Sequence, residues 1–231
     1  MSFVGDKRRT VFIPFADVTM QWDKYTSDVA AGLPDLSVTG VHTSEDMVQA
    51  ILQAEVVMIG GGNTFHLLKL LQDKKLLSAI RESINNGALY VGWSAGSVVA
   101  CPDISTTNDM PIVWPGEAGA LAFLDFHVNA HYNNFAPPGY QGETRDDRLN
   151  EAMLVGDKIT ILALSEGCAL LGEDHSLFIL KSPASERPAG SKLQVKVWVL
   201  KDRKEKKFQV VDIPTGQAED KFALEPYLPL L

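Results

Sequence analysis

The sequence contains no apolar run approaching the ~18 residues that a membrane-spanning helix needs. Its opening residues, MSFVGDKRRT, are not followed by the apolar core of a secretory signal. Membrane association and export are therefore not expected, and a cytoplasmic location is. Cysteine is scarce, with only Cys101 and Cys168. Their spacing fits no metal-binding pattern, and two cysteines do not make a disulfide framework. Positive charge is also short: 21 Lys and Arg against 29 Asp and Glu leave a formal net charge of −8. Binding a phosphate backbone requires a basic face, so a nucleic-acid partner is not expected. The one dense basic run, KDRKEKK, reads as a solvated hairpin turn. No repeat or low-complexity segment interrupts the chain.

What is present is apolar material, 45% of 231 residues, enough for a sizeable core. The first two-thirds alternates strand-like and helix-like segments. TVFIPF, LSVTGVH, EVVMIG and ALYVGW read as strands, and FHVNAH and ITILAL as two more. Between them, MQWDKYTSDVAAGL, SEDMVQAILQA (with Ser44 as N-cap) and TRDDRLNEAMLV read as helices. TFHLLKLLQDKKLLSAIRESINNG reads as one helix or two, broken near Asp73. This order predicts a doubly wound α/β fold, a mostly parallel sheet with helices on both faces. After about Cys168 the texture changes to CALLGE, SLFILK, LQVKVWVLK and KFQVVDIP, which read as antiparallel strands. SPASERPAGS reads as a loop between two of them. The division expected is a single α/β domain over residues 1–231, with residues from about 182 to 231 a β-rich C-terminal extension.

Chemistry is suggested first by Gly92-Trp93-Ser94-Ala95-Gly96, which matches G-x-S-x-G directly after a strand. Such a turn is sharp enough that side chains at the flanking positions would clash. A serine hydroxyl at neutral pH needs a base within hydrogen-bonding reach. Of the five histidines, His66 lies within a helical apolar pattern, His42 ends a strand and His175 sits in a turn. His127 lies within a strand and His131 at its carboxyl end, where functional groups gather in open parallel sheets. His131 is therefore the best candidate base. The leading candidates for the orienting acid are Glu166 after ITILAL and Asp109 in TTNDMP, ahead of Asp103 and Asp125, and the pattern alone does not choose between the first two. For an oxyanion, N–H donors are expected from Ala95 and from the glycine loop that includes Gly61 and Gly62. No Gly-Lys-Ser/Thr follows that loop, which argues against a phosphate loop.

Together, VFIPFADVT, GGGNTFHLLK, GALYVGWSAGS, ACPDISTTNDMPIV, NAHYNN, GETRDDRL and LSEG resemble peptidase E, the α-aspartyl dipeptidase family of serine peptidases. The matching segments run in family order from about residue 10 to 180. The resemblance implies a class I glutamine amidotransferase-like fold and a triad of Ser94, His131 and Glu166. It moves Asp109 to a loop or substrate role. The implied activity is hydrolysis of dipeptides and short peptides with an N-terminal aspartate, through an acyl-enzyme and without cofactor or metal. The substrate's carboxylate needs a fixed cation, for which Arg145 matches the family's arginine. Asn63, Thr107 and Asp109 are further candidates for substrate contact. The implied partner is the small peptide alone, on a monomer or homodimer. The alternatives are a related hydrolase of other aspartyl amides, cyanophycinase-like, and a non-catalytic binder of aspartyl ligands on the same fold.

Family members carry a further strand and helix before the segment matching VFIPF, and the C-terminal strands here extend beyond the family's usual end. The expectation is that the LQVKVWVL and KFQVV strands, or a second chain, cover an open sheet edge beside TVFIPF.

Overall fold

The computed structural model describes residues 8–156, 160–173, 175–187, 192–215 and 221–224. The chain divides into two compact units, residues 1–124 and 125–231.

In the first unit four strands form one parallel sheet in the order β2-β1-β3-β4. They are β1 (Arg9–Ile13), β2 (Ser37–Gly40), β3 (Val56–Ile59) and β4 (Leu89–Gly92). The helices are α1 (Trp22–Gly32), α2 (Met47–Leu52), α3 (Thr64–Asp73), α4 (Leu77–Asn85) and α5 (Ala95–Val99). Alternation along the central strands explains why both faces are covered. Val11, Ile13, Val57 and Ile59 point into one core with Leu67, Leu68, Leu71, Ile80 and Val99 of α3, α4 and α5. Phe12, Val56 and Met58 point into another, against Tyr25 and Val29 of α1. All four β3 side chains are fully buried, and each contributes about 1.5–3 kcal/mol relative to exposure.

Two expectations are corrected here, and one open alternative is decided. Asp46, not Ser44, caps α2, because its carboxylate accepts the Gln49 N–H at 3.0 Å while the Ser44 hydroxyl bonds the Asp46 carbonyl. The long helical pattern is two helices, parted at Lys74–Leu76, where Lys75 adopts a left-handed φ of 56°. The TVFIPF strand is not at an open edge: β1 lies between β2 and β3. The C-terminal strands pair elsewhere.

The second unit holds β5 (His127–Asn129), α6 (Arg145–Val155), β6 (Thr160–Leu164), β9 (Val195–Asp202) and β10 (Lys207–Ile213). Its main sheet runs β10-β9-β6-β5, with β5 and β6 parallel and the rest antiparallel. The C-terminal strands are therefore part of the sheet that carries β5 and β6. Leu149 and Met153 of α6 pack on Ile161, Ala163 and Trp198. KDRKEKK does form the turn of the β9–β10 hairpin. A second sheet, β11-β8-β7, joins β7 (Cys168–Glu173), β8 (Ser176–Lys181) and β11 (Lys221–Ala223) antiparallel. Residues 188–191 of the SPASERPAGS loop lie outside the described residues. Among the described residues no helix is long and apolar enough to cross a membrane.

Candidate active site

In the first unit the chain leaves β1 toward β2 on one side and later returns to place β3 on the other. Such a reversal opens a crevice at the carboxyl ends of the strands. The glycine loop at residues 60–63 follows β3 there, and Ser94 follows β4.

Ser94 has φ 54° and ψ −117°, a conformation that costs a non-glycine residue energy and persists only where its surroundings enforce it. The neighbouring glycines enforce it by close approach. A Cβ on Gly96 would stand 2.1 Å from the Ile59 carbonyl oxygen, and one on Gly92 would stand 2.6 Å from the Gly96 oxygen. The Tyr90 hydroxyl donates to the Gly96 carbonyl at 2.6 Å, and the Ser97 hydroxyl donates to the Gly92 carbonyl at 3.0 Å. The glycine loop abuts the serine: a Cβ on Gly61 would lie 2.9 Å from Ser94 Cβ.

Sequence reasoning missed the residue that fixes this loop. Tyr25 Oη accepts the Gly61 N–H at 2.9 Å and Trp93 Nε1–H at 3.1 Å, and donates to the Gly61 carbonyl at 3.3 Å. Burial pushes its pKa up, so the phenol stays protonated. The Gly61 N–H thus already has a partner, unlike the expectation that it points at a reacting oxygen. Tyr25, Gly61 and Gly62 also line a surface cleft of about 370 Å³ with Asp17, Gln21 and Lys24. No local pattern reveals Tyr25, because its partners are 36 and 68 residues away.

Asn63, Thr107 and Asp109 are brought together, but as a structural knot. Asn63 Oδ1 caps α3 through the His66 N–H, and its amide donates to the Met110 carbonyl. Asp109 Oδ2 accepts the Thr64 N–H at 2.7 Å and hydroxyls from Thr64 (2.5 Å) and Thr107 (3.1 Å).

In the second unit His131 follows β5 with a left-handed φ of 55°. Its Nδ1 is hydrogen-bonded to Glu166 Oε1, at the carboxyl end of the neighbouring strand β6. The two side chains are 52% and 81% exposed. A pair so exposed adds about 0–1 kcal/mol to stability, so stability does not account for it. His127 is buried within β5, as its place in the pattern predicts.

Arg145 opens α6, half-buried, and donates to Asn129 Oδ1 at 3.2 Å. It has no carboxylate within ion-pair distance among the described residues. Burial and the nearby Arg148 lower its pKa from the ordinary arginine value. Glu143 is paired with Arg148 at 3.7 Å instead. Among the described residues no group of three His, Cys, Asp or Glu side chains could hold a metal ion.

This chain matches the family model "Peptidase family S51" over residues 1–180. Peptidase E of Escherichia coli O6:K15:H31 (strain 536 / UPEC) is 46% identical over 186 residues, covering 76% of this chain and 81% of that protein. Peptidase E of Escherichia coli (strain K12 / DH10B) matches to the same extent. Among solved structures, a candidate peptidase E protein from Listeria monocytogenes EGD-e superposes with a TM-score of 0.59 at 25% identity, covering 78% of this chain and 89% of that one. A peptidase from an acI-B1 Actinobacterium shares the fold, with a TM-score of 0.55 at 16% identity over 95% of this chain and 84% of that one. By the family-model match over residues 1–180 and the 46% identity to peptidase E, the chain belongs to peptidase family S51 and is a peptidase.

Proposed function

We propose that this peptidase cleaves dipeptides and short peptides bearing an N-terminal aspartate, with Ser94, His131 and Glu166 as its triad. The observation that carries this is the hydrogen bond from His131 Nδ1 to Glu166. With Nδ1 so engaged, Nε2 is the nitrogen that takes the serine proton. The reading requires Ser94 Oγ to come within hydrogen-bond reach of that nitrogen. Glu166 is favoured over Asp109 because the Asp109 carboxylate is anchored to Thr64 and Thr107 at the start of α3.

Ser94 Oγ attacks the aspartyl carbonyl carbon as His131 takes its proton. The carbonyl oxygen becomes an oxyanion, which N–H groups of Gly62 and Ala95 receive. His131 then protonates the leaving amine, the C–N bond breaks, and an aspartyl ester of Ser94 remains. Water, deprotonated by His131, adds to the ester and releases aspartate, returning the proton to Ser94. Arg145 receives the aspartyl β-carboxylate, a role supported by its half-buried guanidinium and the absence of a carboxylate partner among the described residues.

The test is a panel of X-Leu dipeptides with X as Asp, Asn, Glu and Ala, plus a β-linked aspartyl peptide. Asp-Leu should be cleaved far faster than the others. Ser94→Ala should lose about 10⁴-fold or more in kcat with its fold intact. Preference for the β-linked peptide would indicate a cyanophycinase-like hydrolase, and failure of Ser94 to react with a serine-directed electrophile would indicate a non-catalytic binder. Loss of kcat in Asp109→Asn with none in Glu166→Gln would overturn the assignment of the acid.

A further inference from the structure

The left-handed turn at His131 is followed by a side chain whose bonds lead into the C-terminal strands. Tyr132 is 2% exposed. Its N–H donates to the Leu164 carbonyl at 2.9 Å, and its hydroxyl donates to Asp146 Oδ1 at 2.5 Å. The second carboxylate oxygen of Asp146 accepts Lys196 Nζ–H at 2.7 Å. The Asp146 N–H donates to Asn134 Oδ1 at 2.9 Å, tying down the same loop three residues after His131. Lys196 stands on β9 opposite Ala163 of β6, its Nζ 5.9 Å from the Tyr132 ring centroid. Two residues earlier, the Gln194 N–H donates to Ser165 Oγ at 2.8 Å, and the Ser165 N–H returns a bond to the Gln194 carbonyl at 3.0 Å. The strand therefore reaches the immediate neighbour of each member of the pair, Tyr132 beside His131 and Ser165 beside Glu166.

Each group in this chain has a fixed role. Burial and the adjacent carboxylate keep the Tyr132 hydroxyl protonated as a donor. Burial works against the Lys196 ammonium, but Asp146 and Tyr132 outweigh it and its pKa is raised. Asp212 also faces Lys196, at 3.6 Å, from the solvent side. A backbone held away from its preferred φ relaxes unless several contacts over-determine it. Around His131 those contacts include the Tyr132 N–H, the Tyr132 hydroxyl and the Asn134 amide oxygen, and the last two converge on Asp146.

We propose that Lys196 is a positioning residue: acting through Asp146 and Tyr132, it holds the turn that presents the His131 imidazole to Glu166. This rests on the reading of His131 as the general base. Lys196 lies beyond residues 1–180, the part of the chain that the family model matches. The inference therefore gives the C-terminal strands a share in the chemistry without placing any of their atoms on substrate.

The experiment compares Lys196→Met, Lys196→Arg, Tyr132→Phe and the double variant Lys196→Met/Tyr132→Phe. On Asp-Leu, Lys196→Met and Tyr132→Phe should each lower kcat about 10- to 100-fold. KM should stay within about twofold, because the loss falls on the transition state. The double variant should be little worse than the worse single one. Lys196→Arg should recover most of kcat, because a guanidinium can serve the same carboxylate. Two readouts do not depend on the substrate: the rate at which a sulfonyl fluoride modifies Ser94, and the downfield proton resonance of the His131 Nδ1–Glu166 hydrogen bond. Both should weaken in Lys196→Met. If the parent cleaves no aspartyl peptide, the functional reading fails, and the resonance still decides this inference. Lys196→Met or Tyr132→Phe proteins that melt earlier but keep the parent's kcat and an unchanged resonance would overturn it. Should Lys196→Met not fold, Tyr132→Phe, which keeps its ring in the core, carries the same test.

Discussion

Ser94 and His131 both follow a strand in a parallel pair, and both hold a positive φ that side chains disfavour. They are held by opposite means. At Ser94 the backbone is squeezed into place: Gly92, Gly96 and Gly61 leave no room for a Cβ, so adding atoms breaks the turn. At His131 the backbone is tethered by Tyr132, Asn134 and Asp146, so removing atoms breaks it. The steric constraint at Ser94 includes two glycines beside it in sequence, and these leave a motif. A tether needs partners that can come from anywhere in the chain, and it leaves none.

The largest effect expected from this contrast is at Gly96. Gly96→Ala drives a methyl into the Ile59 carbonyl, which belongs to a buried strand and cannot move aside cheaply. A stability loss of about 3 kcal/mol or more is expected, with the loss of Ser94 reactivity, read by denaturant melts and electrophile labelling. A variant that folds and labels like the parent would remove the steric half of the comparison.

The second unit should answer to charge instead. Arg145→Met should lower kcat/KM on Asp-Leu by about 100-fold or more, since a buried carboxylate left without its cation costs about 2–5 kcal/mol. Any slow cleavage of Ala-Leu should change little. Equal losses on both substrates would make Arg145 a structural residue.

Tyr25→Phe tests whether the squeezed turn also depends on a tether. The ring can keep its packing on Phe12 and Trp93, while the Gly61 N–H and Trp93 Nε1–H lose their acceptor. A cost of about 1–3 kcal/mol is expected, together with a fall in kcat as the glycine loop loosens. Unchanged kcat would mean that glycine sterics alone fix the loop.

The smallest effect is at the start of α6. Thr144 and Asp147 form a capping box, so Thr144→Ala should cost about 1 kcal/mol. The Thr144 hydroxyl and N–H hold the Asp147 carboxyl below its ordinary pKa. The contribution of that ionised group is complete above the unfolded-chain pKa of about 3.9. It is lost as pH falls through the lower folded value. The gap between parent and Thr144→Ala should accordingly narrow in melts below about pH 4. A gap that widened there would contradict the capping account.

Much of the fold was legible. The strands of the first unit announce themselves by short apolar runs ending at glycine or proline, and the helices by spacing and caps. Ser94, His131 and Glu166 could each be placed at a strand end from order alone. The misread features share a cause. The Ser44 cap and the open edge beside β1 both turned on which of several polar or strand partners wins. Short-range pattern holds no information about that competition.

By itself the sequence determined the alternation of strands and helices, the crowded glycine turn around Ser94 and the family, because each is written in neighbouring residues. The tertiary structure decided that Gly61 gives its N–H to Tyr25, that Asp109 anchors α3, that His131 meets Glu166, and that β9 joins the sheet carrying both. Each of these is a hydrogen-bond pairing between distant residues. Such pairings form only once folding brings distant segments side by side, where their donors and acceptors can meet.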